Sequence, residues 1–351
     1  MLIRRRSAPR MHAIVPICAI AVASLALATG TGAWGSSSNK VREDRASGNY
    51  SVAVVHVGKY SFAIVQVLDD PFFNSVFIGA KQEAQKLGGP ISVKLAGPSQ
   101  VDPQQQVADF KALVNSGISG IAVAPTDAKA IVPAVKEAVK AGIPVVDYNL
   151  TIADPSIVIS QVLTSTLPGA KAAGQRMCAV IGGKGDVFVA GAHAGNPTLQ
   201  QRWNGFRAGL AAGCPNVKIV FHVIGCEPSQ ATGIVKSAIV RDSKLIGFYA
   251  DSQCTATSVV QAVQSSGLGK RAHVYAYDAT PDEVHALKAG KIQLLIAQKG
   301  LLQGQLSLRY LWNAVHHTKV PKLTYTGTVL MTKANLAQTQ KWAYPAGGGQ
   351  K

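Results

Sequence analysis

Residues 61–79 read Ser-Phe-Ala-Ile-Val-Gln-Val-Leu-Asp-Asp-Pro-Phe-Phe-Asn-Ser-Val-Phe-Ile-Gly, and this stretch decides the fold. Its β-branched apolar run predicts a buried strand over 61–68. Asp70 followed by Pro71 predicts that a helix over 71–87 begins here. An acidic N-cap and a proline at the first helical position both favour a helix start.

Two aromatic residues, Phe72 and Phe73, follow the cap. The strand end therefore presents a carboxylate, Asp70, beside two rings. This arrangement is typical of a ligand-binding rim, because α/β sheets bind their ligands at the carboxyl ends of the strands. The alternative is an ordinary capped helix with two core phenylalanines.

Strands and helices alternate along the following chain, which indicates parallel sheets with helices on both faces. The second half repeats the first: segments 78–87 and 204–210 occupy the same place in their units, as do 118–124 and 245–250. Two copies of one unit predict an α/β protein with two similar doubly wound parallel-sheet lobes. The predicted strands are 61–68, 91–96, 120–124 and 144–148 in the first lobe, and 186–191, 217–223, 245–250 and 273–277 in the second.

Three further segments are too short to form a core of their own: a strand over 292–297, a helix over 300–316 and a last strand over 325–331. Each is expected to return to one of the lobes, and several crossings behave as a hinge. We predict a signal peptide at 1–35, a linker at 36–59, an N-terminal lobe at 60–164 plus 299–323, a C-terminal lobe at 165–298 plus 324–338, and a flexible tail at 339–351.

The first 35 residues have the pattern of a secretory signal peptide. A cationic head precedes a mostly apolar run over 13–28 that is shorter than the ~20 residues of a membrane span, and small residues suitable for cleavage follow. We expect an exported protein in the periplasm or another extracytoplasmic space, with an uncleaved anchor as the alternative. A second apolar run over 51–57 is either an edge strand or part of the linker.

The formal net charge of +17 is spread over the chain, and beyond the signal peptide no run of several basic residues occurs. We attribute this charge to the solvated surface and predict no nucleic-acid partner.

Four cysteines follow the signal peptide, and in an oxidising compartment they allow two disulfides with three possible pairings. Cys214 and Cys226 flank one predicted strand and would lie ~35 Å apart, which disfavours that pair. Cys226 and Cys254 follow strands that should be neighbours. We favour that pair and, by elimination, Cys178 with Cys214; four buried free thiols are the alternative.

The usual catalytic and cofactor motifs are missing from the sequence. Residues 182–185 lack the spacing of a phosphate-binding loop, and residues 191–195 do not match the dinucleotide fingerprint. A nucleophile elbow and a zinc-binding histidine pair are also absent. His193 is either a loop histidine or a ligand contact. We therefore predict a protein that is not an enzyme and that holds neither a metal nor a cofactor.

Polar side chains lie instead at predicted strand ends and on the first helix of the second lobe: Asp70, Arg202, Asp278 and Gln298. Carboxylates accept, a guanidinium donates in a rigid fork and an amide does both, a mixture that suits a small neutral ligand rich in hydroxyl groups. Singly, Arg202 could form a surface ion pair, and Asp278 could hold the turn before the capping box at 280–283.

Several short motifs occur in the order and spacing of the ribose-binding-protein-like periplasmic binding proteins, which the chain resembles over about residues 60 to 335. The resemblance implies the type I periplasmic binding protein fold, with a three-segment hinge and a sugar or polyol enclosed between the lobes. It also implies a monomer that delivers its ligand to the membrane permease of an ABC importer. The motifs are residues 69–73, 124–127, 142–146, 202–206, 277–281 and 296–298.

The resemblance also implies roles for single residues. Asp70, Arg202, Asp278 and Gln298 would form hydrogen bonds to the ligand, while Phe72 and Phe73 would stack on its apolar face. Asn149 stands at an aspartate of the pattern and could still bond a hydroxyl, and Ser252 stands where the family usually has asparagine.

Three departures bear on the ligand. Ala124 replaces a common asparagine, Leu150 replaces a common arginine, and the aromatic residue expected near Pro228 is absent. These changes argue against ribose and favour a smaller polyol, a deoxy sugar or a less polar molecule. The same fold could serve a ligand sensor for a membrane receptor or kinase. A repressor of the lactose-repressor type would need an N-terminal helix-turn-helix where this chain has its signal-like segment.

Overall fold

The computed structural model describes residues 59–345 except residue 195. The predicted signal peptide, all but the last residue of the predicted linker, the apolar run over 51–57 and residues 346–351 lie outside the described residues. Within the described part, no helix is long and apolar enough to cross a membrane.

The first lobe is built on a six-stranded sheet in which all strands are parallel, in the order β11-β5-β4-β3-β1-β2. Helices α1 and α9 pack together, and α2 packs with α3. Central strands β1 and β3 are buried almost throughout because helices cover both faces of a parallel sheet. The elements are β1 Tyr60–Val65, α1 Pro71–Leu87, β2 Ile91–Ala96, α2 Pro103–Asn115, β3 Gly120–Val123, α3 Val132–Lys140, β4 Val145–Asn149, β5 Ser160–Leu163, α9 Gly300–Val315 and β11 Leu323–Tyr325.

The second lobe repeats this order in a six-stranded sheet, β12-β10-β9-β8-β6-β7, in which only β12 is antiparallel to its neighbour. The predicted fold class, two similar doubly wound lobes, is confirmed. The elements are α4 Thr166–Ile181, β6 Asp186–Gly191, α5 Pro197–Gly213, β7 Ile219–Val223, α6 Pro228–Arg241, β8 Leu245–Ala250, α7 Gln253–Ser265, β9 His273–Tyr277, α8 Pro281–Lys288, β10 Leu294–Gln298, β12 Thr328–Met331 and α10 Leu336–Thr339.

The chain passes between the two sheets three times: from β5 to α4, from β10 to α9 and from β11 to β12. The predicted single last strand over 325–331 was wrong. Gly327 adopts a positive φ of 67° between two short strands that join different sheets. The predicted lobe boundary between residues 323 and 324 therefore falls inside β11.

Among the elements that were not predicted from the sequence are β5 and α4. Strand β5 is four residues long and half polar, so it has no apolar run to mark it. Helix α4 contains Pro168 and two glycines, Gly169 and Gly174, which lower its intrinsic helix propensity.

Glycines allow the backbones of two packed helices to approach closely. A Cβ atom at Gly174 would overlap the carbonyl oxygen of Phe206 on α5, and one at Gly209 would overlap that of Lys171 on α4. In the first lobe, Gly304 of α9 lies in the same way against Val76 of α1. Helix α4 therefore packs backbone to backbone on α5, and α9 packs in the same way on α1.

Both favoured disulfides are present. Cys178 of α4 is bonded to Cys214, the residue after α5. Cys226, in the loop before α6, is bonded to Cys254 near the start of α7. The first bond joins two helices of one layer, and the second joins the loop after β7 to the first turn of α7. The expectation that the two strands before Cys226 and Cys254 are neighbours was wrong, because β6 lies between β7 and β8.

Candidate functional site

The predicted site residues come from the carboxyl ends of strands in both sheets, as expected for doubly wound lobes. Asp70 caps α1 after β1, and Asn149 is the last residue of β4. In the second lobe, Asp278 directly follows β9 and Gln298 ends β10. Arg202 comes from the second turn of α5.

Three of these side chains form one hydrogen-bonded chain. Asn149 Nδ2 donates to Gln298 Oε1 over 2.9 Å, and Gln298 Nε2 donates to Asp278 Oδ1 over 2.8 Å. Thr164, on the segment between β5 and α4, donates to the same Gln298 oxygen over 3.0 Å. The first of these bonds links the two sheets, so Gln298 lies where the lobes meet.

Asn149 and Asp278 both adopt positive φ angles, 58° and 84°. Residues other than glycine rarely adopt this conformation, and it is found most often where a site needs a particular backbone direction. At the ends of β4 and β9 this backbone conformation turns the chain at the residue whose side chain bonds to Gln298.

Arg202 is buried and contacts the second lobe on several sides. Its NH1 atom donates to the carbonyl oxygen of Asp251 over 2.6 Å and lies 3.9 Å from Asp278 Oδ2. The guanidinium carbon lies 3.7 Å from the centre of the Tyr277 ring. Burial acts to lower the pKa of Arg202, but the nearby carboxylates, Asp278 first, raise it above its ordinary value, so the side chain stays charged.

Asp251 was missed by the sequence analysis, although it directly follows β8. Its carboxylate accepts from the backbone N–H of Ala192 and from the indole N–H of Trp203 over 2.5 Å. Burial raises the pKa of Asp251, while the charge of Arg202 and these hydrogen bonds oppose that shift. Asp251 thus joins three elements of the second lobe and fixes the carbonyl group that holds Arg202.

Asp70 connects the two lobes from the other side. Its Oδ1 atom accepts from the backbone N–H of Phe73 over 2.9 Å, and its Oδ2 atom accepts from Gln253 Nε2 of α7 over 3.4 Å. Burial raises the pKa of Asp70 to about 7, the negative charges of Asp278 and Asp69 add to the shift, and the backbone hydrogen bonds oppose it. Near neutral pH the neutral acid and the carboxylate are therefore both populated.

Phe72 and Phe73 are both buried, with ring centres 5.2 Å apart in an edge-to-face contact. Phe73 also lies 6.2 Å from Tyr148 of β4, and Phe72 lies 5.5 Å from Tyr344. The rings belong to a core cluster and also border the meeting of the two lobes. Their stacking on a ligand remains a prediction.

Tyr344 was also missed, because residues 339–351 were predicted to be a flexible tail. Within the described residues, the C-terminal segment, residues 336–345, has helical turns at Leu336–Thr339 and Gln340–Trp342 and ends with a buried Tyr344. The Tyr344 hydroxyl donates to Asp278 Oδ1 and accepts from the backbone N–H of Gln298, each over 3.1 Å. Two aromatic residues in an otherwise small and polar tail were the available signal.

The remaining predicted positions have local roles. Ser252 caps α7, with its hydroxyl 3.2 Å from Thr255 Oγ1 and 3.3 Å from Cys254 Sγ, and the structure does not place it in the Gln298 network. Leu150 packs against the core, and Ala124 is buried. His193 is exposed, with Nε2 3.7 Å from Cys226 Sγ.

The arrangement offers both hydrogen-bond donors and hydrogen-bond acceptors beside two aromatic rings. The Nε atom of Arg202 is buried and has no hydrogen-bond partner among the described residues. Glu283, beneath the site, accepts from the backbone and side chain of Thr280, and burial raises its pKa well above the ordinary value. The site is therefore suited to binding a polar molecule with an apolar face.

The family model of the periplasmic binding protein domain matches residues 62–319. This chain belongs to the periplasmic binding protein domain family. The predicted family and fold are thereby confirmed. The C-terminal segment lies beyond the matched residues.

This periplasmic binding protein is 28% identical over 242 residues to the ribose import binding protein of Salmonella typhimurium, covering 67% of this chain and 77% of that protein. It is 24% identical over 290 residues to the putative rhizopine-binding protein of Rhizobium meliloti, covering 79% of this chain and 91% of that protein.

Two solved structures have a similar fold. A solute-binding protein of an ABC transporter from Agrobacterium vitis, bound with alpha-D-tagatopyranose, matches with a TM-score of 0.75 and 23% identity, covering 82% of this chain and 100% of that chain. A periplasmic solute-binding protein of an ABC transporter from Actinobacillus succinogenes, with bound D-allose, has a TM-score of 0.74 and 24% identity. The match covers 80% of this chain and 100% of that chain. These structures establish the shared two-lobed fold.

Proposed function

We propose that this periplasmic binding protein encloses a small sugar or polyol between its lobes and delivers it to the permease of an ABC importer. The observation that carries the proposal is the network in which Asn149, Gln298 and Asp278 join the two sheets beside the buried Arg202. Hydroxyl groups can donate and accept at once, and this set of amide, carboxylate and guanidinium groups complements them.

The two phenylalanines support a ring-shaped or carbon-rich ligand. Sugars and cyclic polyols present C–H groups on one face, which pack well on an aromatic ring. Phe72 and Phe73 lie two and three residues after Asp70 in the first turn of α1, so a ligand that hydrogen-bonds to this carboxylate would lie beside their rings. The unpartnered Nε atom of Arg202 offers a further donor.

The proposed ligand class agrees with related proteins. Its relatives include proteins named for binding ribose and allose, and similar structures were solved with bound sugars. The departures at Ala124, Leu150 and Pro228 remain arguments against ribose itself, because each removes a polar or aromatic contact that the resemblance implies.

The proposed mechanism is capture by closure rather than catalysis. Two hydrogen bonds join the lobes, one from Asn149 to Gln298 and one from Gln253 to Asp70. A ligand that bonds to both lobes stabilises their contact, and three crossing segments allow hinge motion about one axis. Closure then creates the surface that a permease recognises. We place this activity outside the cytoplasm, following export by the N-terminal signal peptide.

A thermal-shift screen of the purified protein against pentoses, hexoses, polyols and deoxy sugars tests this proposal, with amino acids as controls. A ligand at 100 times its dissociation constant adds ~2.7 kcal/mol of stability, which raises the melting temperature clearly. We expect a sugar or polyol to give the largest shift. A shift with amino acids alone would contradict the proposed ligand class.

Two variants locate the binding site. Arg202→Ala should abolish the shift. Arg207→Ala should retain it, because Arg207 is exposed on the same helix, donates to Asn204 and lies 6.0 Å from the centre of the Phe221 ring. Because removing a buried charge also destabilises the fold, the ligand-free melting temperature of each variant is the reference for its own shift. Equal ligand shifts in both variants would argue against the site.

A further inference from the structure

We infer that the C-terminal segment forms a wall of the ligand site and that Tyr344 limits the size of the ligand. The inference rests on the proposed sugar or polyol function. It concerns a residue outside both the recognised motifs and the residues that the family model matches, which end at 319.

Tyr344 is fixed to the loop that carries Asp278. Its backbone N–H donates to the carbonyl oxygen of Ala279 over 2.8 Å, and only 4% of the residue is exposed. Burial raises the pKa of its hydroxyl well above the ordinary value, so the phenol stays neutral and can donate. The side chain is therefore a fixed part of this edge of the second sheet.

The hydroxyl of Tyr344 forms hydrogen bonds with two residues that we propose as ligand contacts, Asp278 and Gln298. It donates to Asp278 Oδ1, which already accepts from Gln298 Nε2, and it accepts from the backbone N–H of Gln298. Asp278 Oδ1 is thus engaged by two protein donors. A ligand hydroxyl would bind to Asp278 through its other oxygen, which lies 3.9 Å from Arg202 NH1.

The ring of Tyr344 extends over to the other lobe. Its centre lies 5.5 Å from that of Phe72, with the planes at 67°, and both rings belong to one buried cluster. Phe72 is a predicted stacking surface for the ligand. Because the phenol occupies space beside this ring, a bulky pyranose meets a protein wall here, whereas a short polyol does not need the space.

The segment is anchored well enough to act as a wall. Leu336 is buried, and α10 packs beside β12. Asn335 donates from its side chain to the carbonyl oxygen of Leu330 over 2.9 Å. Trp342 lies between Lys299 and Lys341, whose ammonium groups are 5.2 Å and 5.6 Å from its ring.

Calorimetric titration of the full protein with erythritol and with D-allose tests this inference. Tyr344→Ala should raise the ratio of D-allose affinity to erythritol affinity by about ten-fold or more, since a pocket discriminates on this scale by shape alone. Tyr344→Phe keeps the ring and should leave the ratio near that of the wild type. Gln338→Ala changes an exposed side chain of the same segment, on α10, and should also leave the ratio unchanged.

The outcomes separate this inference from the proposed function. If the wild type binds a polyol or sugar and Tyr344→Ala leaves the ratio within about two-fold, the wall is contradicted while the function stands. An equal rise in Tyr344→Phe or Gln338→Ala also contradicts it. If no form of the protein binds a sugar or polyol, both proposals fail. Ligand-free melting temperatures identify any variant that does not fold.

Discussion

Asp70 combines two roles that make opposite demands on its charge. As the N-cap of α1 it accepts a backbone hydrogen bond, which favours the carboxylate. Burial between the lobes favours the neutral acid more strongly, and its pKa is raised from 3.8 to about 7. The folded protein therefore binds this proton more tightly than the unfolded chain does.

This linkage predicts a pH-dependent effect of Asp70→Asn. The raised pKa of Asp70 contributes to the stability of the wild type. This contribution is fully present below pH ~4 and is lost as the pH rises through ~7. Asparagine keeps the cap without titrating. Since Asp70 retains some solvent contact, which screens the effect, we expect the variant to gain about 2 kcal/mol relative to the wild type between pH 4 and pH 8.

Urea unfolding at several pH values measures this difference. Asp102→Asn is the matched control, because Asp102 caps α2 in the same way from an exposed position. A stability difference between Asp70→Asn and the wild type that stays constant with pH would contradict the account of the buried cap.

At the residue scale, the sequence was most informative where a motif and a strand end coincide. Asp70, Asp278 and Gln298 each follow or end a strand with a clear apolar run. Tyr344 could not be found in this way, because its position depends on a segment with little periodicity that returns to the site. Asp251 follows a strand but belongs to none of the recognised motifs, and its hydrogen-bond partners come from three separate elements.

The helices that follow the first two crossings depend on glycines at their contacts. Gly304→Ala would place a methyl group against the backbone of α1, which cannot move without disturbing the sheet. We expect a loss of about 1–3 kcal/mol in the free energy of unfolding. Gly233→Ala on α6 meets open space and should instead stabilise by ~0.5–1 kcal/mol.

Denaturant titration of the two alanine variants measures both effects. The two changes add the same methyl group to a helix, so the opposite signs report on packing alone. If Gly304→Ala were neutral, the close approach of α1 and α9 would not be a source of stability.

The two disulfides should differ in their effect on binding. They close loops of similar length, with sequence separations of 36 and 28, so removal of either as a pair of alanines should cost about 4 kcal/mol. Only Cys254 lies beside Ser252 and Gln253, and Gln253 reaches Asp70 across the lobes. We therefore expect weaker ligand binding only in the Cys226→Ala, Cys254→Ala protein.

Thermal unfolding of both double variants, followed by ligand titration below the lower melting temperature, tests this difference. Equal affinities in the two variants would show that the position of Gln253, at the start of α7, does not depend on the neighbouring disulfide. The pairing favoured from the sequence is present, but the reason for it was wrong, because β7 and β8 are separated by β6 in the sheet.

At the element scale, the sequence predicted long, regular elements better than those near the crossings. Helix α1 was predicted with its observed bounds because its cap, proline and terminal glycine agree. Strands β5, β11 and β12 are three or four residues long and depend on pairing with distant strands. Their positions are set by tertiary contacts rather than by local sequence.

The described part of the molecule consists of two copies of one topology joined by three crossings. This symmetry explains why internal repeats and strand alternation were sufficient to predict the lobes. The two sheets have the same strand order, and each lobe has a glycine-mediated helix pair. The symmetry also brings the carboxyl ends of both sheets together, which places the candidate site between the lobes rather than within one of them.

The central claim is that one sugar or polyol binds between the lobes, and calorimetric titration tests it most directly. The purified protein is titrated with the compound that gives the largest thermal shift, in parallel with Asp278→Asn. We predict one saturable site per chain in the wild type and a large loss of affinity in the variant, because Asp278 links Gln298 and Arg202 at the site. Saturable binding of an amino acid but of no sugar or polyol, or unchanged affinity in Asp278→Asn, would contradict the claim.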